Sequence, residues 1–246
     1  MKRGMVALAL AAGLAVSGCG SYRAAVRTEQ VLQSAQQALA DGQPVKAEVL
    51  LIRAAALRPD SAAVQGRVGL QLLAAGKPSR ALLYLERALQ MPGWLPIECR
   101  MAAIDCYLAK YQVAKASSVL LGGLQAYRNQ AMQLNNLAYA YADRGVLLPE
   151  ARRLLQQALA LEPESGQILD SLGWAELKLG EVLRAHALLE RANALTPGSY
   201  EITYHLAYLA LLEGEIDAAR RHLARSLALE PTYQPALRLQ ARLAAP

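Results

Sequence analysis

The sequence predicts an all-α protein built from stacked helix pairs, and three observations carry that reading. Pro163, Pro197 and Pro231 close successive segments 34 residues apart, and a fixed period of this size marks a stacked array rather than a single globular core. Each segment holds two apolar runs of helical period separated by Gly145, Gly180 or Gly214; the glycine ends the first helix and the proline keeps the second from continuing. Small residues recur in register. Ala151, Ala185 and Ala219 open the second helices, Leu155, Leu189 and Leu223 follow four residues later, and Ala158, Ala192 and Ser226 three after that. Those spacings put all three columns on one helix face.

The first helices carry a matching large-then-small pair, Leu137-Ala138, Leu172-Gly173 and Leu206-Ala207. Together these residues resemble the tetratricopeptide repeat (TPR), whose pattern of Leu-Gly, then Ala-x-x-x-Phe, then Pro is met here with leucine in the aromatic slot. The resemblance implies a right-handed α-solenoid, a superhelix whose first helices line a concave groove. Trp174 departs from the family pattern, since it follows the Leu-Gly pair instead of preceding it.

From the N-terminus, residues 1–18 read as a secretory signal, with basic Lys2 and Arg3 ahead of an apolar run from Met5 to Val16. That run is too short for an ordinary spanning helix, which needs about 20 apolar residues. Val16-Ser17-Gly18-Cys19 resembles the bacterial lipobox. The resemblance implies cleavage before Cys19, a covalent lipid on its sulfur, and a place on the periplasmic face of the outer membrane, because Gly20 and not Asp follows the cysteine. Residues 19–27 are then a lipidated N-terminus and short tether. Without residues 1–18, 24 Lys+Arg face 20 Asp+Glu, and the formal charge falls from +6 to +4. So small a balance gives no nucleic-acid footprint.

Residues 28–231 hold six repeats. The alanine column extends backwards through Ala116 and Ala81 to Ala47, Leu51, Leu85 and Leu120 continue the leucine column, and Gly42 and Gly76 supply earlier stops. The third repeat is irregular, with neither a glycine between its helices nor a closing proline before Tyr127. No linker rich in Pro, Ser or Gly interrupts the array, which reads as one elongated domain. Residues 232–246 form a capping helix over the last exposed face. Cys99 and Cys106 lie seven residues apart on one helix. Their Cα separation of roughly 10.5 Å exceeds the ~7 Å limit for a disulfide, so both read as free, buried hydrophobes.

Catalytic and metal motifs are lacking: there is no His-Glu-x-x-His, no Cys-x-x-Cys and no Gly-x-Ser-x-Gly. His186, His205 and His222 fall on three different helices without ligand spacing. The expectation is a protein that is not an enzyme, with no cofactor and no metal. Its expected binding surface is the groove. Counting from the Leu-small pair places Asn135 and Tyr139, Asp170 and Trp174, and Tyr204 and Tyr208 on the inner face, so that Tyr139, Trp174 and Tyr208 form an exposed aromatic ladder for a peptide. Leu32, Leu70 and Met101 take those positions earlier, which favours the C-terminal half. Two kinds of function fit. One is an assembly scaffold for an envelope machine, with a secretin or pilus component as partner, since lipoproteins with about six such repeats resemble the TadD class of Tad/Flp pilus assembly and the PilF/PilW pilotins. The other is an adaptor that recruits an envelope enzyme or exopolysaccharide-secretion component.

Overall fold

A computed structural model describes the backbone of residues 3–92 and 95–244, and side chains from residue 22 onward, except 93, 94 and 244. Among the described residues there are thirteen helices and no strand. They run α1 (Arg3–Ala40), α2 (Pro44–Leu57), α3 (Ala62–Ala74), α4 (Pro78–Gln90), α5 (Ile97–Ala109), α6 (Val113–Ala126), α7 (Ala131–Asp143), α8 (Leu148–Leu161), α9 (Gly166–Lys178), α10 (Val182–Leu195), α11 (Tyr200–Leu212), α12 (Ile216–Leu229) and α13 (Gln234–Ala244). Where the sequence reads as one domain, the helices fall into two compact units, Met1–Ala116 and Ser117–Pro246, divided within α6 in the irregular third repeat. The signal at residues 1–18 and the lipid attachment at Cys19 lie outside the described side chains. Residues 19–27, read in the sequence as a tether, are helical and continuous with α1; no glycine or proline breaks residues 21–40. Among the described residues no helix is long and apolar enough to cross a membrane.

Within each unit the small-residue columns are the contact line. Ala47, Ala81, Ala151, Ala185 and Ala219 have no exposed surface, and neither do Leu51, Leu85, Leu155 and Leu189. The small partner on the first helix is equally confined. A Cβ on Gly173 would lie 2.8 Å from Leu189 Cγ, and one on Gly69 2.6 Å from Leu85 Cγ. In the first unit the core gathers Val31, Leu32, Leu51, Val68, Leu72 and Tyr84. In the second, Leu169, Trp174, Leu189, Ile202 and Leu206 share one cluster, and α13 buries Ala236 and Leu239 against Ala207 and Leu223.

The punctuation of the repeats has local causes. Ser61, Ser165 and Ser199, each two residues past a closing proline, cap α3, α9 and α11 by accepting the N–H of Val64, Ile168 and Ile202. Gly42, Gly76, Gly145, Gly180 and Gly214 end the first helices with positive φ, and the next N–H turns back onto the helix, as Lys77 does to Leu72 O at 2.9 Å. The third repeat makes the same turn without glycine. Tyr111 sits 35 residues after Gly76 with φ 57°, and Gln112 N donates to Tyr107 O at 2.9 Å.

Tyr111 is almost wholly exposed, so its ring adds little to set against a left-handed backbone that disfavours L-residues by roughly 1–2 kcal/mol. Glycine's greater freedom in the unfolded chain offsets about 0.4–1 kcal/mol of that. Tyr111→Gly is therefore expected to stabilise the protein by about 0.5–1 kcal/mol. Urea unfolding followed by circular dichroism checks this, and a lowered midpoint would contradict it.

Candidate functional site

In the second unit α7, α9 and α11 bring the six residues expected in the groove into one cluster, but not as an exposed ladder. Trp174 is 2% exposed. Its indole stacks on His205 with ring centres 4.2 Å apart and meets Tyr208 edge-on at 5.1 Å. Its Nε1–H donates to Asp143 at 3.0 Å, and Lys178, one turn later on α9, holds its ammonium 4.5 Å from the ring centre. Asp170 is buried and accepts from His205 Nδ1 at 2.7 Å. Asn135 is buried as well, with no hydrogen-bond partner for its Oδ1. Tyr139, Tyr204 and Tyr208 remain half-buried and pack against the α9–α11 core.

The exposed ladder is thus corrected to a packed one, and the cause is side-chain size. Large rings on α7 and α11 flank α9 and fill the space that smaller residues would leave open. Burial, with Asp143, Asp170 and Glu201 nearby, pushes the Tyr139 hydroxyl far above the usual tyrosine range. Tyr233, just before α13, is raised in the same way by burial and Glu201. These hydroxyls stay neutral and serve as hydrogen-bonding groups only. His205 is the member that counting missed. It lies one residue past the counted column, yet Asn135, Asp170 and His205 recur at 35 residues, and that spacing was the available signal. His205 Nε2 is buried with no hydrogen-bond partner.

An open apolar surface lies in the first unit. A cleft of about 460 Å³ is bounded by Leu73 of α3, Pro78 of α4, and Met101, Ala102, Cys106 and Ala109 of α5, with the carboxylates of Glu98 and Asp105. The α5 residues recur at spacings of three and four, so one face of that helix lines the cleft. Its volume lies within the range of small-molecule sites and admits a large aliphatic side chain. Met101, an inner-face position by sequence counting, is here; Leu32 is instead sealed in the core. Both thiols are free and buried. Burial, with a smaller push from Glu98, raises Cys99 to about 11, and burial raises Cys106 also. Among the described residues no group of three His, Cys, Asp or Glu side chains is placed to hold a metal.

This geometry of glycine-stopped hairpins on alanine columns can be set beside known proteins. The sequence pattern of the tetratricopeptide repeat matches residues 176–243. The fold is that of a tetratricopeptide-repeat array. PilF of Pseudomonas aeruginosa superposes with a TM-score of 0.52 at 16% identity, covering 89% of this chain and 99% of that one. The Cut9–Hcn1 hetero-tetramer of the APC/C superposes with a TM-score of 0.51 at 17% identity, covering 89% of this chain and 43% of that one. In sequence, 57 residues are 42% identical to the TPR repeat-containing protein PA4667 of Pseudomonas aeruginosa. That match spans 23% of this chain and 10% of the relative.

Two measurements check this arrangement. Trp174→Ala is expected to destabilise the array by about 3–5 kcal/mol, read from denaturant midpoints; an unchanged midpoint would return the ring to an exposed role. Maleimide labelling near neutral pH should be slow at both thiols in the native protein, because a raised pKa leaves little thiolate. Cys106, which borders the cleft, should react faster than Cys99, which has no exposed surface. Equal rates would mean that the cleft is closed.

Proposed function

We propose that this chain is a non-enzymatic scaffold that binds segments of other proteins, held by a lipid on Cys19 at the periplasmic face of the outer membrane. Its task in this reading is assembly of a pilus or secretin machine. The observation that carries the scaffold is the open apolar face of α5 in a tetratricopeptide-repeat fold, a cleft large enough for a protruding aliphatic side chain. Tetratricopeptide-repeat domains generally bind peptides or proteins. The pilus assignment draws on the lipobox resemblance at Val16–Cys19 and on the match of fold along nearly all of PilF.

Docking follows from burial. A Leu- or Met-sized side chain moved from water into the cleft gains about 1.5–3 kcal/mol, and the residues around it exclude water from the contact. Two or more acyl chains on Cys19 anchor stably where one does so only marginally. The partner therefore meets the scaffold at the membrane surface.

The test pairs two variants in cells. Cys19→Ser should move the protein to the soluble fraction, and its retention in the outer membrane would refute the anchor. Met101→Arg should weaken partner capture about 30-fold, the equivalent of roughly 2 kcal/mol, with the melting temperature little changed. Capture is read by photo-crosslinking from the α5 face and mass spectrometry. Recovery of secretin or pilus subunits supports the assignment; recovery of an envelope enzyme instead replaces it with the adaptor reading.

A further inference from the structure

The outer face of α2 differs in chemistry from its counterparts in the other repeats. Val45 and Val49 are 68% and 63% exposed, and Ile52 is 38% exposed. Their spacings of four and three place them in one stripe, which exposed Ala56 extends by another turn. Relative to the alanine column, the same positions are Ser79, Leu83 and Glu86 in α4, Pro149, Arg153 and Gln156 in α8, and Asp217, Arg221 and Ala224 in α12. Only α2 places three large aliphatic residues there. Water is an unfavourable neighbour for such a stripe.

The exposed charges on α2 itself are of one sign. Besides Pro44 and the aliphatic residues, the exposed side chains of α2 are Lys46 and Arg53. Its single acid, Glu48, is buried and paired with Lys77 and Arg80. Within α1 the exposed Tyr22, Arg23, Val26 and Arg27 repeat the chemistry. Its first acid, Glu29, is held by Arg67 through two hydrogen bonds, and Asp41 accepts from Gln37. Arg23, Arg27, Lys46 and Arg53 form no ion pair among the described residues. Glu29 and Glu48 are thus held by cations inside the unit, whereas the exposed Arg23, Arg27, Lys46 and Arg53 are left for an outside anion.

Aliphatic residues flanked by unpaired cations are the pattern of a helix that lies in a bilayer interface, and each basic residue near an anionic surface adds to the attraction. The repeat that carries the pattern is also the one that follows Cys19, with Tyr22 three residues beyond it. We propose that the first hairpin rests on an anionic lipid surface through the Val45–Val49–Ile52 stripe and its flanking cations. This rests on the lipid-anchored reading. The anchor holds the chain at the membrane, and the α2 face fixes how the first repeat lies against it.

The test places a reporter in the stripe of the full chain, purified from membranes and mixed with vesicles of acyl-brominated phosphatidylcholine, with or without phosphatidylglycerol. The emission that Ile52→Trp adds to that of Trp94 and Trp174, read as the difference from the wild-type chain, is expected to be quenched at least about twofold when phosphatidylglycerol is present. Quenching should be lost without it, or in about 1 M salt, where the screening length is near 3 Å. Gln156→Trp, the equivalent position of α8, should stay unquenched. Adding Val45→Asp and Val49→Asp should abolish the Ile52→Trp signal while circular dichroism stays native. Chain that floats with the vesicles but leaves Ile52→Trp unquenched overturns the proposal and spares the anchor. An emission that shifts to the blue with protein concentration instead assigns the stripe to a second copy, and also overturns it. Wild-type protein in the soluble fraction of cells would refute the anchor alone, since the vesicle quenching decides the face by itself.

Discussion

Close approach of two helices at a small residue is the constraint from which the rest of the structure follows. With Ala151, Ala185 or Ala219 at the contact, a second helix lies near enough to its partner for Leu155, Leu189 or Leu223 to fill the gap beside it. Such contacts fix axial register, because a shift by one residue would drive a larger side chain into the backbone opposite. Register in turn sets where each helix must end. The left-handed turns at Gly42, Gly76, Tyr111, Gly145, Gly180 and Gly214 therefore keep the period of 34 or 35 residues even where the glycine has been lost.

The fold was legible because the same instruction is written several times. A single Ala-x-x-x-Leu means little, but five or six in register leave one architecture. Where the pattern lapses, local residues no longer reveal the backbone. Nothing about Tyr111 announces a left-handed conformation, and only its distance from Gly76 and Gly145 does so. Division into two compact units was not legible either. It falls within α6, inside a helix and not at a linker, so composition carries no mark of it.

Which rings of the second unit lie together was legible, and their exposure was not. Counting along the first helices picks Tyr139, Trp174 and Tyr208 as neighbours, and they are neighbours. Whether such a ring faces water depends on the size of side chains one repeat before and one after. Asp143 and His205 decide it for Trp174, and neither belongs to the counted column. In the first unit Met101 and Ala102 leave the α5 face open instead. Equivalent positions thus differ in exposure with no change in backbone pattern: Met101, ten residues before Tyr111, lines the cleft, whereas Leu32 before Gly42 and Asp170 before Gly180 are buried.

The bonds around α9 also bear on how an array of this kind is inherited. Repeats joined only through alanine and leucine columns are interchangeable, and such arrays lengthen or shorten by copying or losing a unit. The fifth repeat is not interchangeable. Trp174 donates its hydrogen bond to a carboxylate on the preceding repeat and finds its stacking partner on the following one, while Asp170 satisfies that same partner, His205. Deleting the repeat would strand Asp143 and His205, and duplicating it would set tryptophan against tryptophan. The last three repeats are therefore tied into a single heritable block by their side chains as well as by their alanine and leucine columns.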